Sequence, residues 1–206
     1  MFDSRLRPLI DPPLNRIAGW LAHTGLPANA LTAAGLAVGL LAAAAIVAGW
    51  FWLALILIAL NRLADGLDGP LARRNGASAL GGYYDIVFDF LFYGAVPLAF
   101  ALHDPAANAL AAATLLASFY ANGATFLAFS AVAANTGRKT EAQGKKAIYY
   151  FAGLTEGAET IIVFLAFCLF PAWFAVVAFV FAALCFISAA ARIVMVRALL
   201  TEETRP

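Results

Sequence analysis

Apolar residues fill this chain in long blocks separated by short polar stretches, and the blocks set the expected elements. Six apolar runs, at roughly 31–48, 51–68, 82–102, 107–133, 147–170 and 173–195, approach the length that a helix needs to cross a bilayer, about 20 residues. The runs are continuous and lack the short dyad alternation of membrane barrel strands. The pattern predicts an all-α fold: a polytopic membrane helical bundle of six transmembrane helices, organised as a single domain over residues 1–206. Ahead of the first run, "MFDSRLRPLIDPPLNRIAGWLAHTGLP" reads as an amphipathic segment on the membrane surface, broken at Pro12–Pro13. Asp3, Arg5, Arg7, Asp11 and Arg16 interrupt it, so a cleavable signal peptide is not expected.

Composition strengthens the membrane reading. The chain is 64% hydrophobic and 12% charged, with a mean hydropathy of +0.86, whereas soluble domains are about a quarter charged. The bilayer is therefore an expected partner, and nucleic acid is not. Trp50, Trp52 and Trp173 fall near the ends of runs, where interfacial anchors sit. Cys168 and Cys185 lie inside runs with no metal or redox spacing, and His23 and His103 lie away from the other polar clusters.

The few charges are distributed unevenly. Arg5, Arg7 and Arg16 precede the first run, Arg73 and Arg74 follow the second, and Arg138, Lys139, Lys145 and Lys146 follow the fourth. Arg197 and Arg205 follow the sixth, and the alternate connections carry neither Lys nor Arg. The positive-inside rule places both termini at the cytoplasmic face of a bacterial-type inner membrane.

On that same side lies "DGLDGPLARRNGASALGGYYDIVFD", with four of the twelve acidic residues. Asp65, Asp68, Gly69 and Ala72 recur at i, i+3, i+4 and i+7, one stripe of a helix, with Arg62 a turn earlier and Arg73 at the border. Gly81, Asp85 and Asp89 form a second stripe at i, i+4 and i+8, and the glycine-bearing turn between predicts antiparallel neighbouring helices whose stripes face each other. Charges inside membrane spans are costly and mark function. Four converging carboxylates call for cations, and oxygen-only donors suit Mg²⁺ or Mn²⁺, as one or two ions. Such ions suit displacement at a phosphoryl centre. Gly69, Ala72 and Gly81 clear room beside the acids, and Arg73 offers a planar fork to a phosphate oxygen.

Asp65-x-x-Asp68-Gly69-x-x-Ala72-Arg73, followed by Gly81-x-x-x-Asp85-x-x-x-Asp89, resembles the signature of the CDP-alcohol phosphatidyltransferase family. "LPANALT" (residues 26–32) is similar to that family's Pro-Asn-x-x-Thr-like stretch. Seven residues separate Arg73 from Gly81, about one fewer than is common in the family, which makes Gly82 a substitute for Gly81. The resemblance implies transfer of a phosphatidyl group from a CDP-linked lipid to the hydroxyl of a small alcohol or alcohol phosphate, with release of CMP. It implies Asp65, Asp68, Asp85 and Asp89 as ligands of Mg²⁺ or Mn²⁺, and Asp89 in addition as the base. It also implies Asp68, Gly69, Ala72, Arg73 and Gly81 at the nucleotide and diphosphate, and a homodimer.

Two features bear on the acceptor. Arg138, Lys139, Lys145 and Lys146 suit an anionic one, such as a phosphorylated polyol. Glu156 and Glu159, spaced i, i+3, suit an uncharged or cationic one, or pair with Arg62 or Arg192. Two other classes use intramembrane aspartates: Mg²⁺-dependent membrane prenyltransferases and divalent-cation transporters. A transporter would place its acids near the midplane with access from both sides, whereas these cluster toward one face.

Overall fold

The computed structural model describes the backbone of residues 3–135 and 157–201, with side chains described for 10–132 and 157–201. Its helices are α1 (Asp3–Ala22), α2 (Ala28–Val47), α3 (Phe51–Asn75), α4 (Ala79–His103), α5 (Pro105–Asn135) and α6 (Gly157–Leu169). A 3₁₀ turn at Pro171–Trp173 then leads into α7 (Phe174–Thr201). The fold is all-helical, with no strand among the described residues.

Four stretches are long and apolar enough to cross a membrane: Ala28–Val47, Ala79–His103, Pro105–Val132 and Pro171–Thr201. α3 has the length, but Arg62, Asp65 and Asp68 follow its apolar first ten residues. α6 is the described portion of the fifth predicted span, whose first residues (147–156) fall outside the described residues. Together these segments make an integral membrane protein.

Two local expectations are corrected. The N-terminal segment is not broken at Pro12–Pro13; α1 runs through both prolines. Proline's fixed φ is compatible with a helix, and packing against α3 offsets the hydrogen bonds it cannot make. Ala18 of α1 is fully buried with Leu67 and Leu71 of α3, and Leu14 and Leu21 close around them. The turn is also shorter than "RNGASALGG" suggested. Only residues 76–78 leave helical geometry, and of the glycines there only Gly76 needs a positive φ (98°). Gly81 and Gly82 are already helical, behind an N-cap in which Ser78 Oγ accepts the Gly81 N–H at 3.0 Å.

Helix pairing differs more instructively. α3 and α4, joined by that turn, make few direct backbone contacts; α2 packs extensively against both. The cause is a pair of small residues on α2. A methyl at Gly35 would lie 3.2 Å from Ala64 Cβ of α3, and one at Gly39 would lie 2.7 Å from the Phe92 ring of α4 and 3.0 Å from Asn61 Nδ2 of α3. Small residues four apart let helices approach where lipid supplies no hydrophobic drive. α2 is thus a wedge floor, and α3 and α4 diverge above it.

The rest of the bundle is held by aromatic rings. Phe92, Phe100, Phe164, Phe167 and Phe174 are fully buried, and Phe100 stacks on Phe174 with centroids 4.4 Å apart. α4 continues onto α5, and α5 onto α7. At the other surface Trp50, Trp52 and Trp173 are 64%, 75% and 61% exposed, as expected of interfacial anchors.

Candidate active site

The divergence of α3 and α4 opens a cleft of about 550 Å³ at the end of the bundle where α1 docks. The two stripes form its walls. Asp68, Gly69, Ala72 and Arg73 contribute from α3, Gly81, Gly82 and Asp85 from α4, and Pro27, Asn29 and Thr32 from the start of α2. A smaller recess at its base is lined by Asp65, Asp68, Asp85 and Asp89 with Arg62, Asn61 and Thr32. The sequence stripes therefore converge, but across a gap floored by α2 rather than through direct packing of their helices.

Asp65, Asp68 and Asp85 each present a carboxylate oxygen within 4.8 Å of the others. A divalent ion binds oxygens at about 2.0–2.6 Å, so its ligands stand no more than about 5 Å apart. The donor set therefore fits one hard cation. Asp68 is the buried member, 7% exposed, and Thr32 Oγ1 donates to its Oδ2 at 2.7 Å. Asp65 and Asp85 are more open to the cleft.

Asp89 is held differently. Its Oδ1 accepts from Arg62 Nη1 at 2.9 Å, and the same nitrogen lies 3.4 Å from Asp65 Oδ2. Arg62 Nε donates to Asn61 Oδ1 at 2.7 Å, and Asn61 Nδ2 donates to the Gly35 carbonyl at 2.8 Å. The guanidinium also sits over the Phe92 ring, 4.7 Å from its centroid.

The neighbouring arginines divide their duties. Arg73 folds back one turn, so that a methyl at Gly69 would be 3.6 Å from its Nη1, which puts the guanidinium on the cleft wall. Arg74 turns away to α1, where Nη2 donates to the Asn15 carbonyl at 3.2 Å beside Gly19. Gly81 faces Asn29; a methyl there would lie 2.9 Å from Asn29 Oδ1, whereas one at Gly82 would meet nothing within 4 Å. Gly81 is therefore the tightly fitted glycine, despite the shortened turn.

Arg138, Lys139, Lys145, Lys146 and Glu156 lie outside the described residues. Glu159 is half-buried in the first turn of α6. Arg62, one partner considered for the glutamates, is engaged by the aspartates. Arg192 Nη1 donates to the Asn122 carbonyl and Oδ1, each at 2.9 Å. Sequence reading assigned no role to Asn61, Thr32 or the Gly35/Gly39 pair. Gly35-x-x-x-Gly39 was the available signal for the last of these, and a polar Asn61 within an apolar run for the first.

Fold and site together define a polytopic membrane protein with an acidic, cation-fitting site at one end of its helical bundle. The chain belongs to the CDP-alcohol phosphatidyltransferase family, whose model matches residues 26–187, and it is accordingly a transferase. It is 46% identical over 193 residues to the inner membrane protein YnjF of Escherichia coli, covering 94% of both chains. It is 39% identical over 89 residues to the archaetidylinositol phosphate synthase of Pyrococcus horikoshii, covering 43% of this chain and 47% of that one. Over 93 residues it is 34% identical to the phosphatidylcholine synthase of Pseudomonas aeruginosa, covering 43% and 37%. Family membership removes the prenyltransferase and transporter alternatives.

Proposed function

We propose that the chain transfers a phosphatidyl group from CDP-diacylglycerol, or a related CDP-linked lipid, to the hydroxyl of a small alcohol or alcohol phosphate, releasing CMP. The observation that carries this reading is the carboxylate triad at the base of a cleft whose walls hold Gly69, Ala72, Arg73 and Gly81. The small residues leave the α3 and α4 backbones open to the nucleotide, and Arg73 offers its guanidinium to a diphosphate oxygen. Asp65, Asp68 and Asp85, with Asp89 beside them, would hold the divalent ion or ions, Mg²⁺ or Mn²⁺. Bound there, such an ion neutralises charge developing on the diphosphate oxygens.

Asp89 is the base that takes the acceptor's hydroxyl proton. Its contact with Arg62 orients the carboxylate toward the recess shared with the triad. The site faces the cytoplasm of an inner membrane, in keeping with the basic residues on its side of the chain and with the similarity to an inner membrane protein of Escherichia coli. The resemblance to its family supports a homodimer. The two partial relatives are named for different head groups, so the acceptor has to be read from a panel.

The test incubates purified protein with labelled CDP-diacylglycerol, Mn²⁺ or Mg²⁺, and glycerol 3-phosphate, serine, inositol, inositol phosphate or choline, and measures CMP. One acceptor should stimulate release, and Asp89→Asn should abolish it. Metal-independent release, or release unaffected by Asp89→Asn, would sink the mechanism.

A further inference from the structure

The second stripe does not stop at Asp89. Tyr93 follows it by four residues, as Asp89 follows Asp85 and Asp85 follows Gly81, so the tyrosine stands one turn deeper on the same face of α4. Its ring is held by packing: it meets the Phe164 ring of α6 edge-on with centroids 6.0 Å apart, and the Phe92 ring at 5.8 Å. A phenylalanine would make those contacts equally well. The hydroxyl is what packing leaves unexplained, since a polar group inside an apolar span costs free energy unless it is bonded.

The hydroxyl oxygen lies 3.5 Å from Arg62 Nη1, the nitrogen that also reaches Asp89 Oδ1 at 2.9 Å and Asp65 Oδ2 at 3.4 Å. Arginine only donates, so it engages a lone pair of the tyrosine and leaves the O–H proton to be placed elsewhere. No described residue accepts that proton. Opposite stands Gly157 at the start of α6, where the chain carries no side chain and a methyl would already lie 3.4 Å from the oxygen. An O–H donor is thus fixed one turn from the carboxylate that takes the acceptor's proton.

We infer that Tyr93 is an acceptor-binding residue whose hydroxyl donates to an oxygen on the carbon next to the reacting hydroxyl, and that the acceptor is therefore a vicinal polyol, free or phosphorylated. This rests on the reaction proposed above and deepens it by naming the acceptor class. Serine and choline carry a cationic nitrogen at that carbon, which has no lone pair to offer the tyrosine. Its positive charge would also stand near the Arg62 guanidinium.

The test measures CMP release from labelled CDP-diacylglycerol with Mn²⁺ by the purified, full-length chain, wild type and Tyr93→Phe, against the same acceptor panel. Glycerol 3-phosphate, inositol or inositol phosphate should stimulate wild type, and serine and choline should not. Tyr93→Phe should raise the KM for the polyol about three- to tenfold, with the KM for the CDP-lipid, Mn²⁺ affinity and thermal midpoint near wild type. Wild type should favour the polyol over the matching analogue without the neighbouring oxygen, 3-hydroxypropyl phosphate or a deoxyinositol. The two proteins should use that analogue equally, because the bond that Tyr93→Phe removes is already missing.

Serine or choline as the preferred acceptor, or an unchanged polyol KM in Tyr93→Phe, would overturn the inference. So would an equal loss with polyol and analogue, which is what a purely structural role predicts. The acceptor panel and the analogue comparison on wild type remain readable even where Tyr93→Phe is unstable. Release stimulated by a polyol and untouched by Tyr93→Phe removes this inference alone. Absence of metal-dependent release with every acceptor removes the proposed reaction as well.

Discussion

Thr32 and Asp68 stand 36 residues apart in sequence and 2.7 Å apart in space, the Thr32 hydroxyl donating to Asp68 Oδ2 across the α2–α3 interface. Asp68 is the most buried carboxylate of the triad, and this bond orients it. Hydrogen bonds to charged groups contribute about 1.5–3 kcal/mol. Thr32→Val should therefore weaken Mn²⁺ binding and CMP release by about ten- to a hundredfold. Thr32→Ser, which keeps the hydroxyl, should stay near wild type. A Mn²⁺ titration and a CMP-release assay on the two variants check this.

Gly81 and Gly82 offer a paired comparison. A methyl at Gly81 would stand 2.9 Å from Asn29 Oδ1 and 3.3 Å from Ser78 Oγ, against open space at Gly82. Gly81→Ala should displace Asn29 into the cleft and raise the KM for the CDP-lipid several-fold, whereas Gly82→Ala, whose methyl meets no protein atom, should change it less. Steady-state kinetics on the two proteins decides it, and a wild-type KM for Gly81→Ala would show that Asn29 is not displaced into the cleft.

Chelation gives the broadest check on the cation reading. EDTA should abolish CMP release, and Mn²⁺ or Mg²⁺ should restore it. An ion on a diphosphate supplies several kcal/mol of charge stabilisation, so the drop should be on the order of a thousandfold. Asp65→Asn, Asp68→Asn and Asp85→Asn should each resist restoration at the metal concentration that saturates wild type.

The docking of α1 has its own consequence. Leu71 is fully buried between α3 and α1, immediately before Ala72 on the cleft wall. Leu71→Ala should destabilise the protein by about 2 kcal/mol or more. Thermal unfolding in detergent should show a lowered midpoint, and limited proteolysis should show faster cleavage within α1. An unchanged midpoint would mean that α1 contributes little to holding α3.

Local spacing made most of the site legible. Asp65, Asp68, Gly69 and Ala72 share one helical stripe, with Arg73 at its border, because 3.6 residues per turn fixes which neighbours align, and Gly81, Asp85 and Asp89 repeat the argument on α4. Hydrophobic run length likewise announced a membrane bundle, although the ends of α3 and α4 extend past the apolar runs to include residues 69–75 and 79–81. Pro12–Pro13 misled because proline's local preference was outweighed by burial of Ala18 against Leu67 and Leu71.

The sequence by itself determined which residues could do the chemistry: the carboxylates, their order along two helices, and the glycines beside them. Only the tertiary structure decided which of them act together. The wedge of α2, set by Gly35 and Gly39, holds α3 and α4 apart, joins Thr32 to Asp68, and brings Arg62 onto Asp89 rather than leaving four equivalent acids. Helical periodicity fixes relations within a helix, whereas partners 27 or 36 positions apart are chosen by how closely backbones approach. That approach depends on which small residues meet, a property of three helices at once rather than of any one stretch.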